Sequence, residues 1–147
     1  MKKNIALIAI AVSICGLTSC NNSEGQIRKS AQGYLDALAN YKPAEARPYA
    51  TEATCNTTLD FYEKIVAVTD QAVYADNIPA TVTLGDITID DTAAIVSYHK
   101  HTPSTEQDGF IHCVKRDGHW LVNEVIQVPG LTLPEKAPRN NEETVSK

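Results

Sequence analysis

Two different spacings of apolar residues divide this chain, and the division falls at Pro79. From Gln26 to about Tyr41, apolar side chains stand at Ile27, Ala31, Tyr34, Leu35 and Leu38, the stripe of an amphipathic helix. Lys42-Pro43 ends that helix, because the residue before a proline is driven out of the α region, and Pro43 then opens a short helix to Tyr49. A further helix is expected from about Leu59 to Tyr74, with Thr57 and Asp60 as a variant capping box and Phe61 or Tyr62, Ile65, Val68 and Ala72 facing inward. After Pro79 the spacing drops to two. Thr81–Leu84 opens a strand that bends at Gly85 and continues through Ile87 and Ile89, Asp90-Asp91 turns, and Thr92–His101 returns. Pro103–Gly109 reads as a loop, Phe110–Arg116 as a third strand, and Asp117-Gly118 as a two-residue turn into a fourth, His119–Val128. Helices followed by an antiparallel meander make an α+β fold, with N-terminal helices packed on one face of a curved sheet of about four strands.

The first twenty residues belong to a different kind of segment. Lys2 and Lys3 precede an apolar run from Ile5 to Gly16, too short to span a bilayer but built like the h-region of a signal peptide. Leu17-Thr18-Ser19-Cys20 then resembles the bacterial lipobox, whose cysteine receives a diacylglycerol thioether and becomes the mature N-terminus. Acyl chains contribute roughly 0.8 kcal/mol per buried CH₂, and two or three anchor a protein stably. The expected organisation is a signal peptide over 1–19, an acylated Cys20 with a flexible spacer to residue 25, one domain over 26–128, and a polar, disordered tail over 129–147. Removing residues 1–19, which hold two Lys and no acid, leaves 128 residues with charge -7. That balance excludes a nucleic-acid binder, which needs a basic stripe against phosphates. Asn21 and Asn22 after the cysteine fit release to the outer membrane of a Gram-negative bacterium, on its periplasmic side or at the cell surface.

Cysteine use follows from the compartment. Cys15 leaves with the leader and Cys20 takes the lipid, so Cys55 and Cys113 remain. In an oxidising location this pair is expected to form a disulfide, contributing about 4 kcal/mol through loop closure; the alternative is two separate buried thiols.

The helix around Gln32-Gly33-Tyr34-Leu35-Asp36-Ala37-Leu38, the Pro43 helix and the hairpin Val114-Lys115-Arg116-Asp117-Gly118-His119-Trp120-Leu121-Val122 resemble the nuclear-transport-factor-two-like (cystatin-like cone) superfamily, and within it small bacterial lipoproteins of undefined function. The resemblance covers about residues 26–128 and implies a cone-shaped α+β domain. It implies no single chemistry, because enzymes, ligand binders and assembly modules share the fold.

The hairpin turn sets a register that puts Ile111, Cys113, Trp120 and Val122 on one face of the sheet. That face is expected to meet the helices. The other carries Phe110, His112, Val114, His119, Leu121 and Asn123 and suits a partly covered surface such as a homodimer contact.

Tyr34, Tyr62, Tyr98 and Trp120 are the candidate pocket residues. A cone-type lyase or isomerase would aim such tyrosines at a developing oxyanion, with Asp86 or His112 as base, but no spacing here demands catalysis. His99 and His101 share a strand face, and His112 joins them in one of two registers; without an acidic or sulfur ligand beside them they make no metal site. Asp91-Thr92-Ala93 resembles a periplasmic O-glycosylation acceptor, with Thr92 at a turn. The chain is therefore expected to be a lipid-anchored periplasmic or cell-surface module that binds a small molecule or a protein. No cofactor, metal or catalytic residue is expected; the alternative is a cone-type lyase or isomerase.

Overall fold

The helical repeat begins earlier than its apolar stripe suggests. In the computed structural model, which describes residues 19–125 and the side chains of 22–125, α1 runs unbroken over Ser19–Ala39. The stretch Asn21–Gly25, expected as a flexible spacer, is helix. Its residues are polar and carry no breaker besides Gly25, so they extend a helix whose C-terminal part is anchored by packing. From Ile27 onward the stripe meets the sheet: Ile27, Ala31, Tyr34 and Leu35 are all buried. The leader (1–18) and the tail with the expected end of the fourth strand (126–147) lie outside the described residues.

The sheet is a four-stranded antiparallel meander in the order β1 (Thr81–Asp90), β2 (Ala93–His101), β3 (Glu106–Arg116), β4 (His119–Val122). The Asp117-Gly118 turn has positive φ at both residues (50° and 81°), as a type I′ hairpin requires, and pairs Arg116 with His119 and Cys113 with Val122. The bend expected at Gly85 is a bulge: the ladder slips between Leu84 and Ile87, and Ser97 Oγ takes up the Asp86 N–H at 2.8 Å. β3 starts at Glu106, four residues before the expected strand, so the β2–β3 connection shrinks to a tight turn closed by Thr102 N–H to Thr105 O at 2.8 Å.

Val82, Ala94, Val96, Ile111, Cys113, Trp120 and Val122 form the inner face and close a single core against α1. Side chains on α1 and just beyond it also peg the helix to the sheet: Ser30 Oγ donates to Trp120 O (2.7 Å), Gln32 Nε2 to Val82 O (2.9 Å) and, past the helix end, Asn40 Nδ2 to Ala80 O ahead of β1 (3.1 Å).

The middle of the chain departs from expectation. α2 (Pro43–Ala46) and a 3₁₀ turn (Arg47–Tyr49) follow α1 as anticipated. The next helix, however, starts from Thr51 rather than Thr57: Thr51 Oγ1 accepts the Thr54 N–H, and α3 (Glu52–Thr54), a π-helical turn (Cys55–Leu59) and α4 (Asp60–Val68) form one winding segment. It stops at Thr69, and Asp70 caps a separate α5 (Gln71–Ala75) through the Ala72 N–H at 2.9 Å. Phe61, Ile65 and Val68, expected to face inward, are exposed, Val68 to 82%.

Candidate functional site

Of the four candidate pocket residues, two are buried and two half-buried. Tyr34 and Trp120 are 2% and 3% exposed and act as core fillers between α1 and the inner sheet face. The Trp120 indole N–H has no acceptor among the described residues. Tyr62 lies half-buried beneath α4, its hydroxyl donating to Leu38 O at 3.3 Å. Tyr98 is half-buried on β2, and its ring lies over Gly109 so closely that a Cβ there would meet the phenol at 2.5 Å.

One residue that sequence reasoning left without a role, Glu124, ties this inner face to the helices. The β4 ladder ends at Val122, and threonines take over from it. Glu124 N–H donates to Thr54 Oγ1 at 2.9 Å and Thr58 Oγ1 donates to the Glu124 carbonyl. The carboxylate accepts the His112 N–H at 2.7 Å and lies 3.0 Å from His112 Nδ1. Burial above all, and the Glu124 charge after it, push Tyr34 above the usual tyrosine range and raise Tyr98. The same two causes push the Cys113 thiol up to about 12. Burial, then Tyr41 and Tyr74, push Tyr62 up to about 12. These groups stay protonated at neutral pH and fill space rather than act as bases or nucleophiles. The hairpin register, which sets Glu124 beyond Val122, was the available sequence signal for this residue.

The expected Cys55–Cys113 crosslink is absent; both are free thiols. Cys55 lies in the π-helical turn that follows Thr51, whose N–H donates to Val122 O at 2.9 Å. Cys113 is on β3, with Val122 of β4 directly opposite. β4 thus lies between Cys113 and the Ala50–Thr51 segment that leads into the turn of Cys55. The Cys55 thiol, raised mainly by burial, donates to Arg47 O at 3.7 Å.

The outer sheet face holds the histidines, and three of them, His99, His101 and His112, stand against a carboxylate. Because β3 begins at Glu106, Asp108 and Glu106 stand opposite His99 and His101, at 2.7 and 3.2 Å. The shorter loop thus supplies the acidic neighbours that the spacing of the histidines alone does not reveal. His112 lies four residues from Asp108 along β3, about 13 Å away, and does not join them. No group of three or more His, Cys, Asp or Glu suited to a metal ion occurs among the described residues. Exposed pairs of this kind contribute little to stability. Between the histidine pairs Phe110 is 70% exposed opposite Ser97, with Ile95 exposed on the diagonal and Val114 and Leu121 further along. Thr92 is exposed at the β1–β2 turn, and Cys20 lies in the first turn of α1.

A groove of about 300 Å³ opens between α1 and α2, floored by Gly33 and Ala37 and walled by Asp36, Asn40, Lys42, Glu45 and Tyr49. Tyr49 packs on the bare backbone of Gly33, where a Cβ would collide with its ring. The polar walls are already engaged: Asp36 accepts from Gln32 (2.9 Å), Asn40 brackets Ala80, and Lys42 pairs with Glu45 (3.4 Å). The groove is at the lower size limit of ligand sites and has few uncommitted groups to orient a ligand.

No protein-family model matches the chain, and no curated protein sequence matches it. Among the solved structures similar to this chain are two NTF2-like proteins. One is an NTF2-like protein of unknown function from Shewanella baltica, with 15% identity and a TM-score of 0.54, covering 72% of this chain and 92% of that one. The other is a candidate NTF2-like transpeptidase from Campylobacter jejuni, with 15% identity and a TM-score of 0.50, covering 68% of this chain and 97% of that one. The chain has the NTF2-like fold, helices against an open four-stranded antiparallel sheet. At this level of identity the likeness concerns the fold alone, and that fold serves both as a ligand-binding module and as a cone-type enzyme.

Proposed function

We propose that this chain is a lipid-anchored protein of the periplasm or cell surface that works by binding, with the outer face of its sheet as the docking surface and a second copy of the chain as its first partner. The observation that carries this reading is Phe110, 70% exposed on a sheet face where Ile95 is also exposed. An exposed aromatic ring diagonal to an exposed Ile95, on a face that also carries Val114, Leu121 and polar histidine pairs, has the mixed make-up of an interface. The inner side supports the same conclusion from the opposite direction. Tyr34 and Trp120 are buried in the core, and one oxygen of the Glu124 carboxylate is engaged by His112. The anchor rests on the leader sequence ending at Cys20, and a shared tether raises the local concentration of two copies on one membrane.

One experiment tests both halves: membrane fractionation followed by sedimentation of the extracted protein, for the natural chain, Cys20→Ala and Phe110→Asp. Cys20→Ala should leave the membrane fraction, and Phe110→Asp should remain in it but sediment as a monomer where the natural chain sediments as a dimer. Membrane retention of Cys20→Ala overturns the anchor. A natural chain that is already monomeric at membrane-like concentrations overturns the self-docking face.

A further inference from the structure

We propose that the pole of the domain where α1 begins contacts anionic lipid headgroups, so that the membrane holds the domain in one orientation instead of merely tethering it. The inference rests on acylation of Cys20.

Its first support is mechanical. α1 is continuous from Ser19 to Ala39, so the acylated residue lies in the first turn of a helix that enters the core at Ile27. Seven residues of helix span about 10 Å, and the far end of α1 lies about 30 Å from the anchor. A flexible spacer would let the body tumble, whereas a helix rooted in the core does not.

The second support is the placement of charge. β1 runs antiparallel to α1: Asn40 meets Ala80, Gln32 meets Val82, and Arg28 Nη1 reaches Gly85 O. Both hairpin turns, at Asp90–Thr92 and Asp117–Gly118, therefore come level with the start of α1, and Lys115 N–H to Thr92 O ties them together. This pole carries four of the eight basic residues between positions 22 and 125, namely Arg28, Lys29, Lys115 and Arg116, but only five of the fifteen acidic ones. Its net charge is -1, against -6 for the remainder of that span. Lys29, Lys115 and Arg116 are exposed and form no ion pair among the described residues, so they are available to phosphate oxygens. With a Debye length of about 8 Å at physiological salt, charges near the anchor feel the headgroups, while the acidic remainder is both repelled and largely screened.

The test is paramagnetic broadening of amide signals in the acylated, isotope-labelled protein, held in bicelles of phosphatidylethanolamine with one quarter phosphatidylglycerol and a gadolinium-chelating lipid. The amides of Asp91 and Gly118 should be lost, while those of Asn77 and Ser104 at the opposite pole remain. A joint Lys115→Glu and Arg116→Glu variant, and separately Lys29→Glu, should reduce that contrast without releasing the protein. Even broadening at both poles, preferential loss at Asn77 and Ser104, or undiminished contrast in the charge variants overturns the headgroup contact. The mass of the N-terminal peptide separates this from failure of the anchor: without the acyl mass on Cys20 both readings fall, and with it only the orientation is at stake.

Discussion

α1 and α4 are both amphipathic by pattern, but they end in opposite environments. The stripe of α1 lies on the inner face of a four-stranded sheet, and Ile27, Ala31, Tyr34 and Leu35 are removed from water. The stripe of α4 meets no sheet. Phe61, Ile65 and Val68 face outward, and the helix is held instead by polar contacts: Tyr62 to Leu38 O, and Arg47 to Asp60 (2.6 Å) and Glu63 (2.9 Å). Amphipathicity specifies that a helix has an apolar side. Whether that side is buried depends on an apolar surface elsewhere that is still unclaimed, and α1 has already claimed the one this sheet offers.

The largest expected effect tests that contrast directly. Ile27→Ala removes a fully buried side chain from the centre of the core and should cost about 2–5 kcal/mol in denaturant unfolding. Val68→Ala, at the same chemical scale but in water, should change stability by less than about 0.5 kcal/mol. A Val68→Ala cost comparable with that of Ile27→Ala would mean that something covers α4 in solution, and the comparison would collapse.

Alkali should sharpen the contrast from inside the core. Cys113 and Tyr34 sit between α1 and the sheet with their pKa values raised, Cys113 from 9.0 to about 12. In the unfolded chain the thiol ionises first, so the native state binds more protons between those two values. Stability is therefore fully present below about pH 9 and falls as pH rises toward 12. The loss is roughly 2–4 kcal/mol, since each tenfold change in proton affinity is worth about 1.36 kcal/mol. Urea unfolding measured from pH 8 to 11 should show the decline for the natural chain and a shallower one for Tyr34→Phe and Cys113→Ala. Equal slopes in all three would show that neither group drives the loss.

Much of this architecture was open to sequence reasoning, for identifiable reasons. The β3–β4 hairpin was readable because Asp117-Gly118 admits positive φ at both positions, and that turn alone assigns Ile111, Cys113, Trp120 and Val122 to one face. The long α1 was readable from its stripe, except for its start, where polar residues carry no periodic signal and the helix continues by propagation. The fate of α4 was not readable, since nothing local reports that the sheet is already covered. The same limit affected the cysteines: placing Cys55 and Cys113 in one layer is a sequence-level statement, but the intervening β4 is a tertiary fact. For the candidate site, Glu124 was overlooked because its importance comes from Thr54 and Thr58 on one segment and His112 on another.

The smallest expected effect concerns what fastens α4 in place of a core. The Arg47 guanidinium binds two carboxylates one turn apart on α4, and those hydrogen bonds push its pKa above the already high arginine range. Removing the guanidinium cuts only the link between α4 and the 3₁₀ turn at Arg47–Tyr49. Arg47→Ala should therefore leave the exchange of α1 amides unchanged and speed exchange across α4 a few-fold, because an exposed pair of this kind contributes little globally but restrains locally. Salt discriminates further: the pairs are accessible to solvent, so at high ionic strength the natural chain should exchange through α4 as the variant does. If instead Arg47→Ala accelerates exchange in α1 to the same extent, the two helices open as one unit and the polar fastening is part of the core's cooperativity.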